Sequence, residues 1–432
     1  MTKIKKVGVI SLGCSKNLVD TEVMLGHLAD HGYQILEDFD HVDCLLVNTC
    51  AFLSEAVTES LDQIVELAKL KGEGRADRLV VTGCMVSRYG EELRGEIPEI
   101  DGVVHPGNLE GVIEAVTGKN PVKQPEHDKF PTRLRSFPYH RAYLKIGEGC
   151  SNHCSYCMIP SLRGEFSSRE TSSVLEEVRW LLDQDVREIT LVSQDTGRYG
   201  LDGGAGSLSG LLREVLKVRG DYWLRVLYIH PSRVDEGLLD VMASDERVCR
   251  YLDVPFQHVS ERILNLMGRE DAPVADDVLE LARRSLPGVF IRSTLMTGFP
   301  GETEKDFGEL LQFVKNAGIE HLGVFAYSRE EGTLAADFPG QVPSGLAKER
   351  MEILLAVQEE VSEERLKVLV GKDLEVMIEG ADEKGTYGRH RGQAPEVDGV
   401  VYLDRPQVLG DIVSVRITGS SAYDLIGKIL DE

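Results

Sequence analysis

The sequence predicts an α/β protein in three parts: an N-terminal parallel-sheet α/β domain, a central open partial (β/α)6 barrel and a C-terminal small antiparallel β-barrel. Three observations predict it. Residues 1–120 repeat three times a unit of apolar strand, turn ending in cysteine and amphipathic helix. Between 141 and 328, six apolar runs alternate with helical patterns. Beyond Gly371 the pattern changes to short alternating strands with glycine turns. A length of 432 residues suits about three domains, and few aromatics with 43 glycines suit many tight strand-to-helix turns.

In the first domain, Lys6–Cys14 precedes a helical pattern carrying Leu18, Met24, Leu25 and Leu28 and closing at Gly32. Cys44–Cys50 precedes a second helix, for which Ser54 is a candidate cap. Arg78–Cys84 precedes a third, near 88–93. Strand, helix and strand at this spacing give a parallel sheet whose carboxyl-edge loops gather at one crevice. Cys14, Cys50 and Cys84 then share that edge, and three thiolates meeting at a point can hold an iron–sulfur cluster that is one protein ligand short. The alternative is three unrelated buried thiols. Cys44 and Cys249 stand outside any pattern and read as small buried apolar residues.

Residues 121–140, with Pro121, Pro125, Pro131 and Pro138, read as a linker. The second domain, 141–370, has its strands at 142–147, 188–193, 223–229, 251–256, 289–296 and 321–327. Just after the first strand, Cys150, Cys154 and Cys157 stand at spacings of four and three. Such a run can ligate three irons of a [4Fe-4S] cluster and leave the fourth open to a small molecule; a zinc site would draft His153 as fourth ligand. The other carboxyl ends carry Ser193-Gln194-Asp195, His230, Gln257-His258, Gly298 and Tyr327-Ser328, which either line a site or cap the following helices. Gly298 to Thr303 ends a strand and opens a helix, so its amides face a ligand or form a tight turn. Leu201 to Gly206 reads as a mobile loop. Residues 345–370 form one long amphipathic helix, and 371–432 the terminal barrel.

The net charge of −24 argues against general affinity for nucleic acid and favours a basic partner. The terminal barrel itself carries 12 acidic against 7 basic side chains. No stretch approaches the roughly 18 apolar residues of a membrane span, and the amino terminus runs straight into a strand, so a cytoplasmic protein without membrane contact is expected.

With the Cys-x3-Cys-x2-Cys run and the aromatic Tyr156 before its last cysteine, the chain resembles the methylthiotransferases of the radical S-adenosylmethionine (SAM) superfamily along its whole length. Ser11 to Asp20, Asn48-Thr49-Cys50, Thr82-Gly83-Cys84 and Gln194-Asp195-Thr196 are similar to the branch that modifies small-subunit ribosomal protein twelve. The transfer-RNA branch usually carries Gln-Met-Asn after the first cysteine and Gln-Asn-Val in place of 194–196. Ser15, where that family has proline, is a departure that leaves Cys14 intact.

The resemblance implies a barrel of radical SAM type, a TRAM-like terminal domain and two [4Fe-4S] clusters. It also implies methylthiolation of the β-carbon of one aspartate of that ribosomal protein, free or on the ribosome. Cys150, Cys154 and Cys157 would hold the cluster that binds SAM, and Cys14, Cys50 and Cys84 the one that carries the sulfur. Tyr156, Gln194 and Gly298 would touch SAM. The reductase and sulfur donor are unknown from sequence. Rival readings are a transfer-RNA adenosine methylthiotransferase and a non-catalytic iron–sulfur electron carrier.

Overall fold

The computed structural model describes residues 5–36, 39, 41–119, 132–203 and 206–431. The first sheet has order β2-β1-β3-β4-β5, all parallel, from β1 (Lys5–Ser11), β2 (Tyr33–Leu36), β3 (Val42–Thr49), β4 (Ala76–Gly83) and β5 (Gly102–Val104). Its helices are α1 (Ser15–Asp30), α2 (Ser54–Gly72), α3 (Cys84–Glu96) and α4 (Val112–Thr117). Val47, Leu45 and Leu79 face α2 and α3, while Leu46, Val80 and Val7 face α1 and α4. Strands buried on both faces explain the unbroken apolar runs of the sequence.

The central domain contributes β6 (Arg141–Lys145), β7 (Gly147–Glu148), α5 (Ile159–Arg163), β8 (Ser167–Ser168), α6 (Thr171–Asp183), β9 (Glu188–Val192), α7 (Leu208–Leu216), β10 (Trp223–Val226), α8 (Glu236–Ala243) and β11 (Tyr251–Asp253). It continues with α9 (Glu261–Leu266), α10 (Ala275–Ser285), β12 (Phe290–Thr297), α11 (Glu304–Ala317), β13 (His321–Ala326) and α12 (Ser344–Lys367). The six expected strands form two parallel three-stranded sheets, β6-β9-β10 and β11-β12-β13. The Cys249 amide donates to the Leu224 carbonyl (2.8 Å) and joins them at the seam. The arc encloses one large core.

The terminal barrel, β14 (Asp373–Asp382), β15 (Gly385–His390), β16 (Val401–Leu403), β17 (Ile412–Ser420) and β18 (Leu425–Ile429), closes through the β14–β17 pair. Its pairs are antiparallel except β16–β18, which runs parallel.

Three local expectations differ from what forms. Ser54 does not cap α2: its amide and hydroxyl both donate to Glu330 Oε1 of the central domain (2.8 and 2.9 Å). The helix after the third strand begins at Cys84 itself. In α12 the buried stripe is Ala347, Arg350, Leu354, Gln358, Ser362 and Leu366, half of it polar, while Ile353 faces solvent. Each finds a partner: Arg350 bonds Glu302, and Gln358 and Ser362 donate to the carbonyls of Ile319 and Glu320, while Arg350 Nε and Gln358 Oε1 stay buried without one.

Pro121, Pro125, Pro131 and most of the expected linker lie outside the described residues. Its end, from Thr132, is packed: the buried Arg133 bonds Glu22 of α1 and Glu177 of α6 (2.6 and 2.7 Å). Gly204 and Ala205 of the glycine-rich tract also lie outside the described residues, while Asp202 accepts from the Ser168 amide and hydroxyl. Among the described residues no helix is long and apolar enough to cross a membrane.

Candidate functional site

The strands β1, β3 and β4 are neighbours, and beyond the carboxyl end of each the chain reaches Cys14, Cys50 or Cys84 within three residues. All three thiols border one cavity of about 410 Å³. Cys14 is the N-cap of α1 and Cys84 the first residue of α3, so helix amino ends face this cavity. The turns require glycine. Gly13 and Gly83 take φ of +91° and +92°, and a Cβ at Gly83 would lie 2.3 Å from the Thr49 carbonyl.

Two buried asparagines lock the Cys14 and Cys50 loops together. Asn17 Nδ2 donates to the carbonyls of Leu12 and Thr49 (both 3.0 Å), and Asn48 Nδ2 to that of Asn17 (2.8 Å). Burial pushes all three thiols up. At Cys14 this is outweighed by Lys16, by the Asn17 amide and by Arg163, so its thiol sits below the usual range. Cys50 and Cys84 stay above it, although Arg163 pulls against burial at Cys84.

Cys150, Cys154 and Cys157 occupy the loop between β7 and α5 and border a second cavity of about 280 Å³. The loop is pinned at Cys150, whose amide donates to the Gly164 carbonyl (3.0 Å), and at Ser155, whose amide donates to Met267 (3.0 Å). Burial pushes the Cys150 thiol up to about 11 and the Cys157 thiol up to about 12. Against it stand the Asn152 amide at Cys150 and the Ile159 amide, 3.5 Å from Cys157 Sγ. Thiols so placed stay protonated unless a bound cation draws the proton off.

His153, the fourth ligand a zinc site would need, is exposed. Among the described residues no three His, Cys, Asp or Glu side chains converge closely enough for a single ion. A four-iron cluster instead spreads its thiolates over separate irons, and a common cavity edged by three thiols and backbone amides fits that group.

The remaining expected site residues divide. Tyr156 lines the second cavity, its ring edge-on to Phe299 (6.3 Å). Gln194 lines both cavities; its Nε2 donates to Glu148 Oε1 (2.7 Å), and its Oε1 is buried without a protein partner, as a ligand-facing acceptor would be. Asp195 accepts from Asn152 (2.8 Å), and burial raises its carboxyl. His230 lines the cavity and also caps a 3-10 turn through Ser232; burial lowers it to about 3, which keeps it neutral. Gln257 lines the cavity, whereas His258 Nδ1 accepts from the amides of Val259 and Ser260 (both 2.9 Å). Ser193 bonds Thr196, and Ser328 bonds Glu330. Tyr327 packs on Phe299 (5.5 Å). Gly298 lies at neither cavity: its amide donates to Glu302 (2.9 Å), and an added Cβ would meet that of Ala347 at 2.2 Å.

The two cavities share Phe52, Ile159, Gln194 and Tyr228 as walls. Beside that partition the buried Arg163 contacts Asp20 (2.6 Å), Glu148 (3.4 Å) and Asn17, and Lys145 contacts Asp20 and Glu148. Burial pushes the Glu148 carboxyl up, but Lys145 and Arg163 outweigh it and hold it low. Phe52, Ile159, Arg163 and Tyr228 line these cavities and were missed by the sequence reading. Only Tyr228 carried a signal, as an aromatic at the carboxyl end of a barrel strand.

Three family models match this chain: the uncharacterized protein family UPF0004 over 6–105, the radical SAM superfamily over 144–314 and the TRAM domain over 370–430. The ribosomal protein uS12 methylthiotransferase RimO of Geobacter sulfurreducens is 45% identical over 443 residues, covering 99% of both chains. That of Geotalea uraniireducens is 44% identical over 446 residues, covering 99% of both. Among solved structures, the radical SAM methyltransferase TsrM from Kitasatospora setae superposes with a TM-score of 0.56 at 17% identity, covering 76% of this chain and 75% of that one, a likeness of fold. A chain whose two three-cysteine cavities abut, and which matches these relatives from end to end, belongs to the ribosomal protein uS12 methylthiotransferase family.

Proposed function

We propose that this protein methylthiolates the β-carbon of an aspartate in ribosomal protein uS12, using SAM and two [4Fe-4S] clusters. The observation that carries the reading is the wall common to both cavities, which lets one substrate carbon face both thiol triads. Cys150, Cys154 and Cys157 would hold one cluster and Cys14, Cys50 and Cys84 the other. When bound, these groups supply what no side chain can: a radical able to take hydrogen from an unactivated carbon, and the sulfur that replaces it.

The protein's own contribution is to place and enclose. Gln194 Oε1 offers an acceptor to SAM at the partition, and Tyr156 offers a ring face beside Cys157. Phe52, Ile159 and Tyr228 wall the junction with apolar surface and keep water from a reactive centre. The Arg133, Arg163 and Glu330 contacts hold the first domain against the second, so the triads keep their facing positions. The charge of −24 favours a basic ribosomal protein as partner over bare RNA, and the reaction belongs in the cytoplasm, where that partner resides. The substrate is uS12 either free or assembled.

Anaerobically reconstituted protein, given SAM, a reductant and uS12 or transfer RNA in parallel, tests this by mass spectrometry. One methylthio group is expected on the uS12 aspartate. A gain on transfer RNA alone, or no deoxyadenosine release, overturns the reading.

A further inference from the structure

Lys16 lies on the wall of the first-triad cavity with its Nζ 3.7 Å from the centre of the Tyr228 ring. Among the described residues its ammonium makes no hydrogen bond and no salt bridge to a carboxylate; the charges that act on it are, in falling order, the Cys14 thiol, Tyr228 and Asp253. The other cations of the paired cavities are committed. Arg163 is taken by Asp20, Glu148 and Asn17, and Arg269 by the Pro255 carbonyl and Cys154.

The ring beneath Lys16 is held in an unusual way. Tyr228 has φ +64°, a left-handed conformation that is strained for a bulky residue and persists only where surroundings enforce it. Here its amide donates to Asp253 Oδ2 and its carbonyl accepts from the Thr196 amide (both 2.9 Å). The constraint sets the aromatic ring on the wall common to both cavities, under the unpaired ammonium.

A target aspartate whose β-carbon faces both triads brings a carboxylate on that same carbon into the crevice. An unpaired carboxylate there is strongly disfavoured, and an ammonium whose close contact is a ring face gives up little to meet it. We infer that Lys16, seated on Tyr228, receives the carboxylate of the target aspartate and sets the preference of this site for an acidic side chain over a neutral one. The inference rests on the function proposed above.

Binding of purified uS12, and of uS12 with its target aspartate changed to asparagine, to the cluster-loaded enzyme tests it by calorimetry. Wild type is expected to bind the aspartate form about 10- to 100-fold more tightly than the asparagine form, the worth of one charged hydrogen bond. In Lys16→Met that ratio falls to within about threefold, and Lys16→Arg restores part of it. Equal loss of affinity for both forms in Lys16→Met, at wild-type iron content, would mark Lys16 as structural and overturn the inference, as would an unchanged ratio. Wild-type enzyme that leaves uS12 unmodified overturns the functional reading instead, and a modifying enzyme with no aspartate preference overturns only this one.

Discussion

Arg163 Nη1 lies 2.6 Å from Asp20 Oδ2, with both side chains almost wholly buried and drawn from different domains. The same guanidinium reaches Glu148, two residues before Cys150, so one side chain spans the interval between the thiol triads. Arg163→Met leaves Asp20 and Glu148 with Lys145 as their remaining cation. Removing one member of a buried ion pair costs about 3–5 kcal/mol. A fall of several degrees in the thermal midpoint is therefore expected, with incomplete rescue by lysine, which cannot reproduce the fork. An unchanged midpoint would mean that Arg163 is solvated in solution.

Removing the triads separately should divide the chemistry. With Cys14, Cys50 and Cys84 changed to alanine, about half the iron is retained, deoxyadenosine is still released, and the methylthio product disappears. With Cys150, Cys154 and Cys157 changed, about half the iron is again retained but deoxyadenosine release stops. Iron analysis and chromatography of the nucleoside check both arms. Loss of all iron in either variant would show that the two sites load as one.

Gln194 places one amide across both cavities, its nitrogen on Glu148 and its oxygen free. Gln194→Ala removes the acceptor without opening a large void. The KM for SAM is expected to rise about tenfold, the worth of one hydrogen bond at about 1.4 kcal/mol, with little change in thermal midpoint. A reversed pattern, with stability falling and KM constant, would reduce Gln194 to a prop for Glu148.

What was legible in the sequence was what repeats or is spaced. The strand-turn-cysteine units give the first sheet because apolar period and glycine turns are local properties, and six alternations give the open barrel. Apart from Gln194, the partition between the cavities was not legible, because Phe52, Ile159 and Tyr228 come from three separate segments with no shared motif. The buried face of α12 was not legible for a different reason: Arg350, Gln358 and Ser362 occupy it, each bonded to a partner tens of residues away. Gly298 was singled out for ligand contact because it ends a strand and opens a helix. What the fold asks of it is room for Ala347.

That reading of Gly298 can be separated from ligand binding. Gly298→Ala adds a contact at 2.2 Å to a residue with φ +72°. The two strains together predict a loss of at least about 1–3 kcal/mol. Adding Ala347→Gly removes the partner methyl and should recover the steric part while the backbone strain remains. Denaturant midpoints of the single and double variants measure this. No recovery in the double variant would place the strain elsewhere.

Acid should release the terminal barrel. Glu188 of β9 lies between Arg225 (2.7 Å) and Arg389 of β15 (2.6 Å), and all three side chains are buried. Burial alone would raise its carboxyl, but the two guanidiniums outweigh it and hold it at about 2, against 4.5 for a free glutamate. Glu379, also bonded to Arg389, is lowered to about 2 as well, since His140, Arg389 and Arg141 outweigh burial. A carboxyl depressed in the folded state stabilises fully above its unfolded value and loses that contribution as pH falls through its folded value. The window is therefore pH 4.5 down to about 2, and Glu188 alone is worth on the order of 3 kcal/mol across it. Trp223, buried at this junction beneath Arg391, reports the release through its fluorescence. In Glu188→Gln the neutral-pH stability is lower and its slope through the window shallower, so the curves of variant and wild type converge near pH 2. Parallel curves would show that another carboxylate controls the docking.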